Sequence, residues 1–388
     1  MFRIENPPNK IDASPDKQQP LLPTGMLNYI ANWGGFYGGV YLESTDRTWI
    51  ESTRISSHVA KRLLTVAVQL ETTGPKSAPV TVRVSAHGTS KSSEPIELTT
   101  GKVQEATVQL EMPYAPLWSP EHPSLITASV EILRDAKRID RKEERFGFRT
   151  ITTRGNRLLL NGQPIYLRGY GDDNVEVLTG FPPASRAVYV QRLSLAKSFG
   201  FNAIRYHSMV PPQELFEAAD EVGMLIMAEL PAAYTQYFFA HQDYLRNELQ
   251  RVLLAYRNHP SLLSLAFGNE FNLHWLKSDE DRRTFVDAIA QFYALAKQLA
   301  PSTLILSNDG FDLRPTDMVS LPGGAAPDRP TIRHEFGDYY CSLPDIGLID
   351  KFTGVLVPDW LNAKQAWVVK NSLQDVYSEY LRNSTRLQ

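Results

Sequence analysis

From Asn161-Gly162 onward, short apolar runs and helix-length amphipathic runs take turns. PIYLRGY precedes VYVQRLSLAKSFG, FNAIRYHS precedes PQELFEAADEVG, MLIMAEL precedes a segment through YLRNELQRVLLAYRN, and SLLSLAFGNE precedes RRTFVDAIAQFYALAKQLA. TLILSND and the weaker DMVSL follow, and PTIRHEF comes before the helical NAKQAWVVKNSLQDVYSEYL. Apolar strands separated by helices indicate parallel βα units, because parallel neighbours need a long crossover and are covered on both faces. With seven strands counted, the pattern predicts a (β/α)8 TIM barrel lacking its last strand.

Upstream the period is two. RLLTVAVQLET, PVTVRVSAH, VQEATVQLEM and LITASVEIL alternate apolar and polar positions between Gly, Pro and Ser breaks, with no helical stretch among them. This predicts an immunoglobulin-like β-sandwich over residues 49–149, followed by the incomplete barrel over 150–388. The first 25 or so residues, rich in Pro, Asn, Asp and Lys, read as loop or disorder, and GMLNYIANWGGFYGGVYLES reads as the close of an element whose beginning is absent.

Composition excludes several classes of partner. Forty basic residues against 43 acidic ones give a net charge of -3 with no Lys/Arg block, so neither nucleic acid nor a membrane surface is expected as a partner. Cys341 is the one cysteine, which rules out an intrachain disulfide, and no Cys/His cluster has zinc spacing, so neither metal nor cofactor is expected. The start has no charged, apolar signal pattern and no run reaches membrane length, so the chain reads as soluble without an export address, its compartment and oligomeric state open.

Within the barrel, Gly268-Asn269-Glu270 and His334-Glu335-Phe336-Gly337 each place a glutamate where an apolar run gives way to polar and turn residues. Strand counting puts Glu270 at the carboxyl end of the fourth strand and Glu335 at that of the seventh, the face that carries barrel active sites. Two carboxylates about 5 to 5.5 Å apart suit a retaining double displacement at a glycosidic carbon. The general acid should be partly buried with a raised pKa, and the nucleophile should stay ionised. Arg205, ending FNAIRYHS, is the cation expected to hold Glu335 charged, or alternatively a clamp between strands. His207 lies two residues on; it is a candidate for a substrate hydroxyl or a structural group. Glu229, ending MLIMAEL, could bind sugar hydroxyls or pair with Arg205. Asp172, beside Asp173 after the first strand, could grip substrate or serve turn chemistry. Trp275, Tyr339 and Tyr340 are aromatic candidates for the apolar face of a sugar, Tyr339 being retained as the site residue.

The strings LLLNGQPIYLRGYG, SFGFNAIRYHS, ELFEAADEVGMLIMAELP, RNHPSLLSLAFGNE and RPTIRHEFG, in that order, resemble the glycoside hydrolase family 2 enzymes, the group holding β-galactosidases, β-glucuronidases and β-mannosidases. The resemblance covers the chain from about 146 onward and implies Glu270 as general acid/base, Glu335 as nucleophile and Asn269 as ligand of the hydroxyl next to the reacting carbon. It also implies that residues 1–48 hold the remnant of a jelly-roll sugar-binding domain and that the chain is a fragment of a longer enzyme. The sequence departs from the family at Asp172-Asp173, where many relatives carry Asn-Arg-His, and before His207, where Ser is more usual. HEFGDYY, VLTGFPPAS and LIDKFTGVLVPDW are closer to a less characterised branch. The expected function is a retaining, exo-acting β-glycosidase acting on an oligosaccharide or glycoside. The rivals are a carbohydrate-binding or inactive fragment and a metal-dependent hydrolase, the latter short of histidines on several strands.

Overall fold

The computed structural model describes residues 40, 42–74, 79–172 and 182–335. The first domain is built from seven antiparallel strands: β1 (Thr48–His58), β2 (Leu63–Thr72), β3 (Thr81–Ala86), β4 (Thr89–Ser92), β5 (Gln104–Glu111), β6 (Ile126–Arg134) and β7 (Lys137–Phe146). They form two sheets, β1-β2-β5 and β4-β3-β6-β7. The chain changes sheet between β2 and β3, again between β4 and β5, and again between β5 and β6, as an immunoglobulin-like sandwich requires. Alternate residues turn inward, so Val66, Val68, Val82, Val84, Val108 and Val130 meet in one core. Burying each contributes roughly 1.5–3 kcal/mol.

Three of these strands lie outside the alternating runs. β7, KRIDRKEERF, buries only Phe146 fully, and its charges suit an edge strand that must not recruit another chain. β1 breaks its register with β2 between Ile50 and Ser52, and the Ile50 amide is taken by Asp140 Oδ2 at 2.7 Å, from β7 of the other sheet.

Beyond the sandwich a short antiparallel sheet, β8 (Ile151–Arg154), β9 (Arg157–Leu160) and β10 (Gln163–Pro164), carries Ile151, Leu158 and Leu160 into a cluster with Ala203, Leu225, Leu263 and Leu306 from the barrel strands. It stops the amino-terminal mouth of the barrel with apolar side chains.

The barrel strands are β11 (Gly169–Asp172), β12 (Ala203–Tyr206), β13 (Leu225–Glu229), β14 (Leu262–Ala266), β15 (Leu304–Leu306), β16 (Val319–Leu321) and β17 (Thr331–Arg333). The first five form one parallel sheet in chain order and the last two a parallel pair. Isolated parallel bridges Asn269↔Asp309 and Asp309↔Ser320 join the two pieces at their carboxyl ends. Among the described residues the sheet does not close, in agreement with an incomplete barrel. Helices α1 (Arg186–Ser198), α2 (Gln213–Val222), α3 (Thr235–Ala240), α4 (Gln242–Tyr256) and α5 (Asp279–Leu299) accompany the strands, and α1, α2, α4 and α5 bury one apolar stripe each. In α5 the stripe is Phe285, Ile289, Phe292 and Ala296, spaced for one helical face, and Ser278 caps the start by accepting from the Asp281 amide at 3.0 Å. No helix among the described residues is long and apolar enough to cross a membrane.

The string RNHPS locks the two domains together. Arg257 donates to Thr53 O at 2.9 Å, Asn258 Oδ1 accepts from the Ile55 amide at 2.9 Å, and His259 and Ser261 hold the two oxygens of buried Asp220 at 2.6 and 3.0 Å. Buried Trp118 of the sandwich completes the joint by donating to Asp220 O at 3.0 Å.

Candidate active site

The carboxyl ends of β12, β13, β14, β15 and β17 converge on one guanidinium. Arg205 lies on β12 with its side chain 14% exposed. Its Nη1 donates to Glu335 Oε1 at 3.1 Å, and its Nη2 reaches Glu229 Oε2 at 3.0 Å, Asn269 Oδ1 at 2.8 Å and His207 Nδ1 at 3.0 Å. Nε lies 2.7 Å from Asp309 Oδ2, an ion pair whose N–H is not aimed closely enough to form a hydrogen bond. Burial works against the guanidinium's charge, and Asp309, Glu229 and Glu335 more than restore it, so its pKa is raised. Arg205 thus makes the contact with Glu335 and also clamps the ends of neighbouring strands. The fully buried partners gain in return: burial raises Glu229 and Asp309, but Arg205 together with His207 at Glu229, and with His334 and Ser320 at Asp309, outweighs it, and both stay below the usual carboxylate range.

Glu229 is fully engaged here. Oε1 accepts from the Ser208 amide at 2.9 Å and from Ser208 Oγ at 2.8 Å while Oε2 faces Arg205, leaving the side chain 1% exposed. That is the pairing alternative rather than a free ligand for sugar. His207 is 13% exposed on the side chain. Asp172 ends β11, where its carbonyl accepts from the His207 amide at 3.0 Å. Tyr339 and Tyr340 lie outside the described residues, as does Cys341. Trp275 is exposed on the loop after β14 and meets Tyr234 edge-on at 5.3 Å.

The two glutamates approach one another beside His334. Glu270 Oε1 is 3.5 Å and Glu335 Oε1 is 3.7 Å from His334 Nε2, and the three residues each offer an atom within 4.8 Å of the others. Glu270 and Glu335 are about one-third exposed on their side chains, whereas His334 is 4% exposed. Both glutamates have positive φ, 52° and 42°, and Ser208 and Tyr234 at the ends of β12 and β13 share this at 47° and 68°. Each such residue costs about 1–3 kcal/mol, a cost that the surrounding bonds must offset. At Glu270 the offset is visible: its amide donates to Asp309 O at 2.7 Å, and Asn269 bridges to Ala233 and Asp309 on either side. Gly268 is needed just before, because a Cβ there would sit 2.1 Å from Ala232 O.

One expectation is reversed. Glu270 is held below its ordinary pKa, first by His334, with burial opposing and with further help from His207 and Arg205. His334 is itself pushed up to about 9: burial would lower it, but Asp309, Glu270 and Glu335 surround it with negative charge. Sequence reasoning assigned no role to Asp309 or His334. Asp309 had the same signal as Glu270, an acidic residue just past an apolar strand; His334 was signalled only by adjacency to Glu335.

The same trio is the one grouping among the described residues with metal-like donor spacing. Its carboxylates are already engaged with Arg205 and the imidazole, and its single histidine falls short of a zinc hydrolase's usual set.

Comparison with known proteins gives a consistent result. The family described as glycosyl hydrolases family 2 matches residues 48–149, and the family 2 TIM barrel domain matches residues 151–320. A beta-glucuronidase of Paenibacillus borealis is 26% identical over 86% of this chain and 54% of its own length. A beta-galactosidase of Bacteroides ovatus is 27% identical over 60% of this chain and 28% of its own. In fold, the crystal structure of a beta-galacturonidase from Eisenbergiella tayi bound to galacturonate superposes with a TM-score of 0.62 at 22% identity, covering 71% of this chain and 50% of that one. The chain spans between about a fifth and about half of the length of the first curated relatives it matches.

Proposed function

This chain belongs to the glycosyl hydrolases family 2, and from that membership we propose that it acts as a retaining, exo-acting β-glycosidase with Glu335 as nucleophile and Glu270 as general acid/base. The observation that carries the reading is the approach of the two carboxyl groups to within 4.8 Å of one another, close to the separation that leaves no room for an interposed water. Arg205 keeps Glu335 oriented, its Nη1 donating to Oε1 at 3.1 Å.

In the first step Glu335 Oε attacks the anomeric carbon while the bond to the leaving oxygen breaks and Glu270 gives that oxygen its proton. In the second, Glu270, now a carboxylate, takes a proton from water, the water oxygen attacks the same carbon, and Glu335 leaves as a carboxylate. From the same membership we propose Asn269, whose Oδ1 accepts from Arg205 at 2.8 Å, as the ligand of the hydroxyl beside the reacting carbon.

The relatives' activities direct the choice of substrates to aryl β-glucuronides, β-galacturonides and β-galactosides. The test is rapid-quench kinetics on this panel with mass measurement of the protein. A burst of aryl alcohol and one sugar mass on the Glu335 peptide are expected; Glu335→Gln should abolish the adduct, and Glu270→Gln should accumulate it with activated leaving groups. Turnover that survives Glu335→Gln refutes the assignment. A second reading, a carbohydrate-binding protein without turnover, draws support from the sheet that stays open between β11 and β17 among the described residues. Saturable sugar binding with no burst would favour it.

A further inference from the structure

Both ring nitrogens of His334 face carboxylates. Nδ1 lies 2.7 Å from Asp309 Oδ1, while Nε2 is buried without a hydrogen-bond partner, 3.5 Å from Glu270 Oε1 and 3.7 Å from Glu335 Oε1. An ionised carboxylate only accepts, and a neutral imidazole has one nitrogen that only accepts. Either neutral tautomer would therefore turn a lone pair toward an anion, at Asp309 or between the glutamates. Only the imidazolium, with a proton at each end, suits the site. The wall beside it is built close: a Cβ on Gly310 would lie 3.1 Å from Nε2 and 3.2 Å from Glu270 Cγ, so the chain there brings the ring edge up to the carboxyl pair.

We propose that His334, locked by Asp309, is a positioning residue for the hydrolysis assigned above: it presents one N–H between the two catalytic carboxyl groups, orients both, and sets the alkaline end of the working pH range. The proposal rests on that assignment. At 3.5 and 3.7 Å the N–H belongs to neither glutamate, beyond the usual 2.7–3.2 Å of an N–H···O bond, so a small rotation on sugar binding can commit it to either.

The charges around the ring come from every strand end that packs on it. Glu335 adjoins it on β17's end, Glu270 faces it from β14's end, and Asp309 faces it from β15's end. Arg205 on β12 reaches it through Asp309 and Glu335, at 2.7 and 3.1 Å. His207, also from β12's end, acts on Glu270. Glu229 of β13 is neutralised by Arg205 at 3.0 Å. A cation between the glutamates favours the ionised form of Glu270. Glu335 needs that form to attack. Glu270 needs it only in the second step, when Glu335 is an ester and the imidazolium's remaining catalytic neighbour is Glu270. The cost falls on the first step, where Glu270 must still hold its proton, so kcat/KM should decline early as pH rises.

The test is the pH profile of kcat/KM on an aryl β-glycoside for the wild-type chain and for His334→Gln. The alkaline limb should move upward by about one pH unit in the variant, a shift expected when a neighbouring charge is removed from a carboxyl group. A lower rate with the limb unmoved would overturn the proposal, since a merely structural histidine would act that way. Should His334→Gln fail to fold, ¹⁵N-histidine NMR of the wild-type chain decides: two protonated ring nitrogens at pH 7 are expected for His334, and a neutral ring there overturns the idea. Failure of the hydrolase assignment itself would be seen separately, in turnover surviving Glu335→Gln.

Discussion

A single guanidinium serves three buried or half-buried carboxylates, and that concentration of charge makes Arg205 the residue on which the site depends most. Arg205→Met would take the guanidinium from Asp309 and Glu229, both 1% exposed, leaving Asp309 with His334 alone and Glu229 with its bonds to Ser208. Breaking such a pair by removing one partner costs about 3–5 kcal/mol, so the urea midpoint should fall steeply and turnover should be lost with it. The site should also give the fold a pH signature. His334 has its folded pKa raised from 6.5 to about 9, so its contribution is fully present below 6.5 and lost as pH climbs through 9. Asp309 is depressed from 3.8, so its share is present above 3.8 and lost as pH falls through its lower folded value. Both act together between pH 3.8 and 6.5, and urea denaturation across pH 4 to 10 should show stability falling on the alkaline side. A midpoint that stays level from pH 6 to 10 would contradict the charge assigned to His334.

Strands and helices carry constraints that single residues do not. The turn from β14 into the catalytic loop is threaded through a gap that only Gly268 fits, with Ala232 O 2.1 Å from where a Cβ would stand. Gly268→Ala must move backbone, and because Asn269 and Glu270 follow directly, kcat should drop well before stability does; circular dichroism melts beside kinetics would separate the two. On the outer layer, α5 is held by its cap and its aromatic stripe. Ser278→Ala should cost about 1 kcal/mol, whereas Phe292→Ala, fully buried among Phe238 and Phe267, should cost about 3–5 kcal/mol. Equal losses from the two would show that the stripe packs less tightly than its burial implies.

At the scale of the molecule, the sandwich is joined to the underside of the barrel by Arg257 and Asn258 of one loop, by Trp118, and by further polar contacts that include Arg145 with Glu221 and Arg149 with Leu262 O. The candidate active site lies at the opposite ends of the same strands. Asn258→Ala removes the acceptor of the Ile55 amide and the donor to Thr53 O, and calorimetry should then resolve two transitions where the wild type gives one. RNHPS belongs to the strings that carry the family resemblance; in the structure Arg257 and Asn258 bind the sandwich, while His259 and Ser261 hold Asp220 of α2.

The sequence by itself determined the alternation of strands and helices, the change of period at Asn161-Gly162, and the family. Each of these is written in local periodicity and in short strings, because burial on one or two faces imposes a repeat that a linear reading can count. It also placed Glu270 and Glu335 past strand ends, where a barrel gathers its chemistry. Strands β1, β4 and β7 escaped notice, since their mixed, polar or charged faces repeat no apolar pattern. Only the tertiary structure decided the charges. Glu270 was expected to hold its proton and is instead held ionised, because Asp309 from one strand fixes a histidine from another between the two glutamates. The Coulomb energy of a group depends on what stands within a few ångströms in space, and these neighbours are 25 and 64 residues apart along the chain.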